Sequence, residues 1–136
     1  MEKVKSIAVN AAFIAIVSLA LIWGNTLYRQ HVQFDKGEQG LAAGDFLGAV
    51  AGFEASLHMY TPFSSLMEKS AQRLWDMGEL AAQRGDVPRA LIAFRSLRSS
   101  WYAVAGIYSP GQQWIEKCDV RIAQLVAQQQ VQQQGR

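Results

Sequence analysis

One cysteine, two histidines and three prolines are all that this 136-residue chain holds of the residues that most often make disulfides, metal sites and chain breaks. With Cys118 alone, an intrachain disulfide is excluded. His31 and His58 form no H-x-x-x-H pair and no Cys-x-x-Cys occurs, so metal-ligand spacing is missing and no cofactor is expected. A P-loop and a G-x-S-x-G motif are absent too. The 13 basic and 11 acidic residues are well mixed, with a net charge of +2. No basic run points to nucleic acid, and nothing points to a small-molecule substrate. Together these absences argue against an enzyme.

What the chain does have is a long apolar run. Apolar residues make up 50 % of it, and many of them lie in "IAVNAAFIAIVSLALIWGNTL", Ile7–Leu27, which holds no charge. About 20 apolar residues in a helix match a hydrocarbon core of ~30 Å. A cleaved signal peptide is the competing reading, since Lys3 and Lys5 make a basic start and Ser18-Leu19-Ala20 resembles a small-x-small site. Leu21, Ile22 and Trp23 continue the run past the point where a cleavable signal turns polar, which favours an uncleaved single-pass anchor. The short basic start favours an N-terminus in the cytoplasm, against Arg29 and Lys36 after the span. The rest of the chain is then expected outside an inner (cytoplasmic) membrane, in a periplasmic or other extracytoplasmic space. Trp23 and Tyr28 suit the outer interface.

No linker follows the span. Between Tyr28 and Ala43 the helical pattern persists without proline, so one rod of about 60 Å is expected from Lys3 to Ala43. Gly44 then ends the helix and Asp45 caps the next, which carries Phe46, Val50, Phe53 and Leu57 at helical spacing. Thr61-Pro62 reads as the start of a third soluble-part helix with Leu66, Leu74, Met77 and Ala81, ending near Arg84. Gly85-Asp86 and Val87-Pro88 open a fourth, to about Ala105. Ser109-Pro110 repeats the Thr-Pro start, and a last helix uses Trp114, Ile115, Cys118, Ile122, Leu125 and Val126. The expected divisions are an anchor at 1–29, a helical domain at 30–127 and a Gln-rich tail at 128–136 that frays.

The helices are written twice. Gly37, Gly44, Asp45, Ala49 and Phe53 recur 41 positions later as Gly78, Gly85, Asp86, Ala90 and Phe94. Pro62 and Leu66–Leu74 recur 48 positions later as Pro110 and Trp114–Ile122, with Glu68-Lys69 matching Glu116-Lys117 and Arg73 matching Arg121. Such periods usually mean an α-solenoid. The residues quoted, with Gly37 and Gly78 in the first helices and Pro62 closing the first unit, resemble the tetratricopeptide repeat family over roughly Gln30–Ala127. The family period is about 34 residues, so spacings of 41 and 48 imply longer helices here. The resemblance implies an all-α fold, two helical hairpins plus a closing helix continuous with the anchor, and binding of a segment of another protein.

Three groups of residues are candidates for contact. His31, Phe34 and Glu38 stand at i, i+3 and i+7, and Gln72, Trp75 and Glu79 repeat them 41 positions on. The resemblance implies that this face lines a concave groove, where an aromatic row beside an acidic row suits an amphipathic or basic peptide; aromatic stripes at helical spacing also serve as core. Arg95, Arg98 and Tyr102 share a face, a solvated basic edge or a patch for an acidic partner, with Arg98 over Tyr102 as a cation–π pair. Ala8, Ala11, Ala15, Ser18, Ile22 and Asn25 form a seam mostly of small residues that lets a second membrane helix approach closely, unless they are alanines scattered through a generic anchor. Cys118 shares a stripe with Trp114 and Ile122 and reads as a packing thiol. The expected function is a membrane-anchored, non-catalytic adaptor or scaffold that binds another protein at the membrane surface. The alternative is an accessory subunit of a transport, secretion or proton-driven motor complex, packed through the membrane helix.

Overall fold

The computed structural model describes residues 1–106 and 110–136. Five helices follow in order: α1 (Glu2–Ala42), α2 (Phe46–His58), α3 (Leu66–Gln83), α4 (Val87–Val104) and α5 (Gln112–Gln134), with no strand among the described residues. α1 packs on α2, α3 on α4, and α5 on α4, while α2 also contacts α3 and α4. The all-helical architecture, with one long apolar helix at the N-terminal end, agrees with the expectation from sequence.

α1 is one helix of 41 residues, about 60 Å at 1.5 Å per residue. Its two ends live in different surroundings. Every residue from Met1 to Asn25 is exposed, including Ile7, Phe13, Ile14, Leu19 and Leu21, while Gln30 and Gly37 are buried against the other helices. Among the described helices it is the one long and apolar enough to cross a membrane.

The two Gly-Asp turns are built alike. Asp45 N–H donates to the Gly40 carbonyl at 2.8 Å and Gly44 N–H to that of Leu41 at 3.3 Å; 41 residues on, Asp86 donates to Ala81 at 2.9 Å and Gly85 to Ala82 at 3.0 Å. Gly44 and Gly85 hold φ of 73° and 75°, the left-handed conformation that this helix-ending pattern requires. Each aspartate then caps the next helix, accepting from Gly48 N–H at 2.9 Å and Arg89 N–H at 3.2 Å.

Close helix approach fixes the packing inside each hairpin. A Cβ on Gly37 would stand 2.7 Å from the Phe53 ring, and one on Gly78 would stand 2.7 Å from the Phe94 ring. Ala49, Phe53, Ala90 and Phe94 are wholly buried, as are Leu57, Leu74, Leu97 and Cys118. In the first hairpin the backbones themselves meet, since a Cβ on Gly52 would lie 2.6 Å from the Gly37 Cα. The position 41 residues after Gly52 is Ala93, so the second hairpin accommodates a methyl where the first has none.

Two expected boundaries are corrected. Thr61-Pro62 does not start α3. Ser64 N–H donates to the Thr61 carbonyl at 3.1 Å and Phe63 has a φ of 65°, a turn with Pro62 at its second position and a positive φ at its third, as in type II. α3 starts four residues later, at Leu66. Ser109 lies outside the described residues; Pro110 precedes the left-handed Gly111 (φ 78°), which opens α5. α5 runs on, mostly exposed, through the glutamines to Gln134, in keeping with glutamine's good helix propensity.

The close contacts set the sign of two substitutions. Alanine for glycine inside a helix gains about 1 kcal/mol by propensity, but Gly52→Ala drives a methyl into the α1 backbone. Both Gly52→Ala and Ala90→Leu should cost about 1–3 kcal/mol by overpacking. Ala51→Leu, at an exposed position of α2, should leave thermal unfolding of the detergent-solubilised chain unchanged. Melting temperatures of all three variants equal to the parent's would contradict this packing.

Candidate functional site

The face carried by His31, Phe34 and Glu38 on α1 and by Gln72, Trp75 and Glu79 on α3 is largely engaged within the molecule. Phe34 is half-buried and meets Phe53 edge-on at 5.4 Å between centroids, and Trp75 meets Phe94 in the same way at 4.9 Å. Both rings therefore pack against the core and stay partly exposed. Glu38 accepts from Arg73 through both carboxylate oxygens, at 2.6 and 3.1 Å, and Glu79 accepts from Arg121 at 2.6 and 3.1 Å. Two-pronged arginine–carboxylate pairs fix geometry, although at these exposures each contributes little to stability. The acidic row is thus matched, each glutamate by the arginine of the next helix in the row. Gln72 is exposed and donates to Asp76 at 2.7 Å, and the exposed His31 ring bonds the Leu27 carbonyl at 3.0 Å.

Lys117 extends this face onto α5. Its ammonium sits 4.9 Å from the Trp75 ring centre and 4.7 Å from that of Trp114, with the two indoles 6.1 Å apart. A cation over two indoles gains from both ring quadrupoles. Trp114 keeps its own N–H satisfied by donating to Glu68 at 2.9 Å.

Arg95, Arg98 and Tyr102 lie on α4, with Arg95 and Tyr102 exposed. Arg98 does not stack on Tyr102 as expected. Its guanidinium donates to Asp119 of α5 at 2.9 Å, a full charge pair that outcompetes a ring quadrupole. The residues of the seam, Ala8 to Asn25, are all exposed along α1, and among the described residues no other element covers them.

A cleft of about 410 Å³ opens between the two Gly-Asp turns, and sequence patterns did not point to it. Leu41, Phe46, Met77, Leu80, Arg84 and Arg89 line it, with Arg89 stacked over Phe46 at 5.5 Å. Leu41 and Leu80 stay exposed at its edge, and Leu47 is exposed nearby on α2. Leu41 and Leu47 on either side of Gly44, and Leu80 before Gly85, were the available sequence signal.

Gln30 was missed altogether. It is wholly buried, donates to the carbonyls of Ser56 at 3.1 Å and Met59 at 2.9 Å, and accepts from the Ser64 hydroxyl at 2.6 Å. One carboxamide thereby satisfies the C-terminal end of α2 and holds the α2–α3 turn. A lone glutamine beside an apolar span carries no pattern that singles it out.

The site offers little to chemistry. Cys118 is buried, and burial pushes its thiol from the ordinary 9.0 up to about 12, which disfavours the thiolate needed of a nucleophile. Among the described residues no three His, Cys, Asp or Glu side chains are grouped to hold a metal ion. Comparison with protein-family models, curated proteins and solved structures finds no match to this chain.

A thiol raised in the folded state leaves stability intact below pH 9 and erodes it as pH climbs from about 9 towards about 12, where the unfolded chain alone ionises. Alkylation of Cys118 by iodoacetamide at pH 8 should be slow in the folded chain and fast in denaturant. Equal rates would show the thiol to be accessible.

Proposed function

We propose that the chain is a membrane-anchored adaptor with a tetratricopeptide-like helical domain, non-catalytic, that holds another protein at a membrane surface. The observation that carries this reading is α1 itself. Its first part is apolar and wholly uncovered, and its second part is built into the helical domain without a break. An uncovered apolar helix of this length is costly in water and suits a bilayer.

The partner is proposed to dock at the end of the domain away from the span, in the cleft between the Gly-Asp turns. Exposed Leu41, Leu47 and Leu80 around a cavity are the kind of apolar surface a protein segment covers, and Arg84 and Arg89 favour an acidic flank. The Glu38 and Glu79 carboxylates, already paired, are poor candidates to attract a basic peptide.

A second reading, an accessory subunit of a larger membrane complex, is favoured by the rigidity of the junction. Trp23 Nε1 donates to the Pro62 carbonyl at 3.2 Å and Gln30 holds the same turn, so the seam of α1 keeps a set angle to the domain.

Topology is tested by a reporter fused after Arg136, which should be active outside the cytoplasm; activity inside would reverse the orientation. Detergent solubilisation and co-purification then separates the two functions. Leu80→Glu should release a partner held by the cleft and leave a partner held by the span. One alanine inserted between Arg29 and Gln30 turns the domain by about 100° against the span, whereas four restore the face to within about 40°. The subunit reading requires the single insertion to be the more damaging. Equal tolerance of both, with loss on Leu80→Glu, leaves the adaptor alone.

A further inference from the structure

The α2–α3 turn holds an aromatic side chain in a position that folding alone does not account for. Phe63 is fully exposed, and it is the one non-glycine among the described residues with a positive φ, 65°. A bulky residue in the left-handed region is held there at a free-energy cost, and here no core contact offsets it. The turn is fastened firmly. Ser64 bonds Gln30 at 2.6 Å, Thr61 bonds the Met59 carbonyl at 3.2 Å, and Pro62 accepts from Trp23 at 3.2 Å.

That last bond sets the depth. Trp23 lies within the charge-free Ile7–Leu27 run, near its end, so Pro62 and Phe63 are level with the last turn of the apolar span rather than with the domain above it. Tyr60 is exposed beside them, Tyr28 is exposed on α1, and Met59–Met67 contains no charged residue. Trp23, Tyr28, Tyr60 and Phe63 together have the composition of an interfacial aromatic belt, supplied from two separate parts of the chain.

We propose that the α2–α3 turn is a second membrane contact, in which Phe63 inserts at the headgroup–acyl boundary of the bilayer that α1 crosses. This rests on the membrane-anchor reading above. The domain would then be held to the lipid surface at two points, by α1 and by the turn, and could not tilt about α1.

The test uses the full chain in phosphatidylcholine–phosphatidylglycerol nanodiscs, with a fluorophore on single introduced cysteines, the native Cys118 being buried. Labels are placed at Ser65→Cys in the turn and Ile14→Cys in the span, and read against lipids carrying shallow or deep nitroxide quenchers. The Ser65 label should lose fluorescence with the shallow quencher, and the Ile14 label with the deep one. Phe63→Asn, which keeps a residue tolerant of the left-handed backbone but removes the ring, should weaken quenching at Ser65 and spare it at Ile14. An unquenched Ser65 label beside a quenched Ile14 label overturns the turn's contact and leaves the anchor standing. Equal quenching at Ser65 with and without Phe63 overturns the role of Phe63. An unquenched Ile14 label overturns the anchor and this inference together.

Discussion

The carboxamide of Gln30 joins the two halves of the molecule. It sits where α1 passes from wholly exposed apolar residues to residues packed in the domain, and it binds the end of α2 and the following turn at once. A buried polar group with both its donors and its acceptor engaged specifies one arrangement, because any slip of α1 against α2 would leave carbonyls and an amide unpaired in the interior. The Gly37–Gly52 crossing a few turns further along gives the same register a steric basis. The angle of the domain to the apolar helix is therefore set by hydrogen bonds at one level and by backbone contact at another.

Above this junction the domain makes the same arrangement twice. Gly37 under Phe53 beside Phe34, and Gly78 under Phe94 beside Trp75, are equivalent contacts 41 residues apart, joined by equivalent Gly-Asp turns. Arginines bind the first helices to one another, Arg73 to Glu38 and Arg121 to Glu79. These partly solvated pairs orient neighbouring helices more than they stabilise them. Stability comes from the buried rings and leucines beneath, each contributing about 1.5–3 kcal/mol on burial.

Much of this was legible in the sequence where a local rule governs. Gly44-Asp45 and Gly85-Asp86 announced their turns because a left-handed residue and a capping carboxylate are adjacent needs, and apolar spacing gave the stripes of α2, α3 and α5. The misses share a different cause. Thr61-Pro62 is as good a turn as a helix start, and what decides is Gln30, more than 30 residues away, holding Ser64. Arg98 turned to Asp119 rather than Tyr102 because α5 brings a carboxylate alongside, which spacing on α4 does not encode. Arg73 and Arg121 recur at 48 and Glu38 and Glu79 at 41, so neither offset by itself revealed that they pair. The cleft at the Gly-Asp turns is made by the ends of four helices, and the leucines that flank the turns do not by themselves distinguish an open cleft from core.

A fixed angle between the domain and the apolar helix requires α1 to be a single rigid helix from its apolar end into the domain. Spin labels at Ile14→Cys and Ala42→Cys in the bilayer-reconstituted chain, measured by pulsed dipolar spectroscopy, read this directly. An unbroken helix places the two positions about 42 Å apart at 1.5 Å per residue, as one narrow population. A broad distribution, or a second population at markedly shorter distance, would mean that the helix breaks at the membrane boundary and that the domain swings free of its anchor.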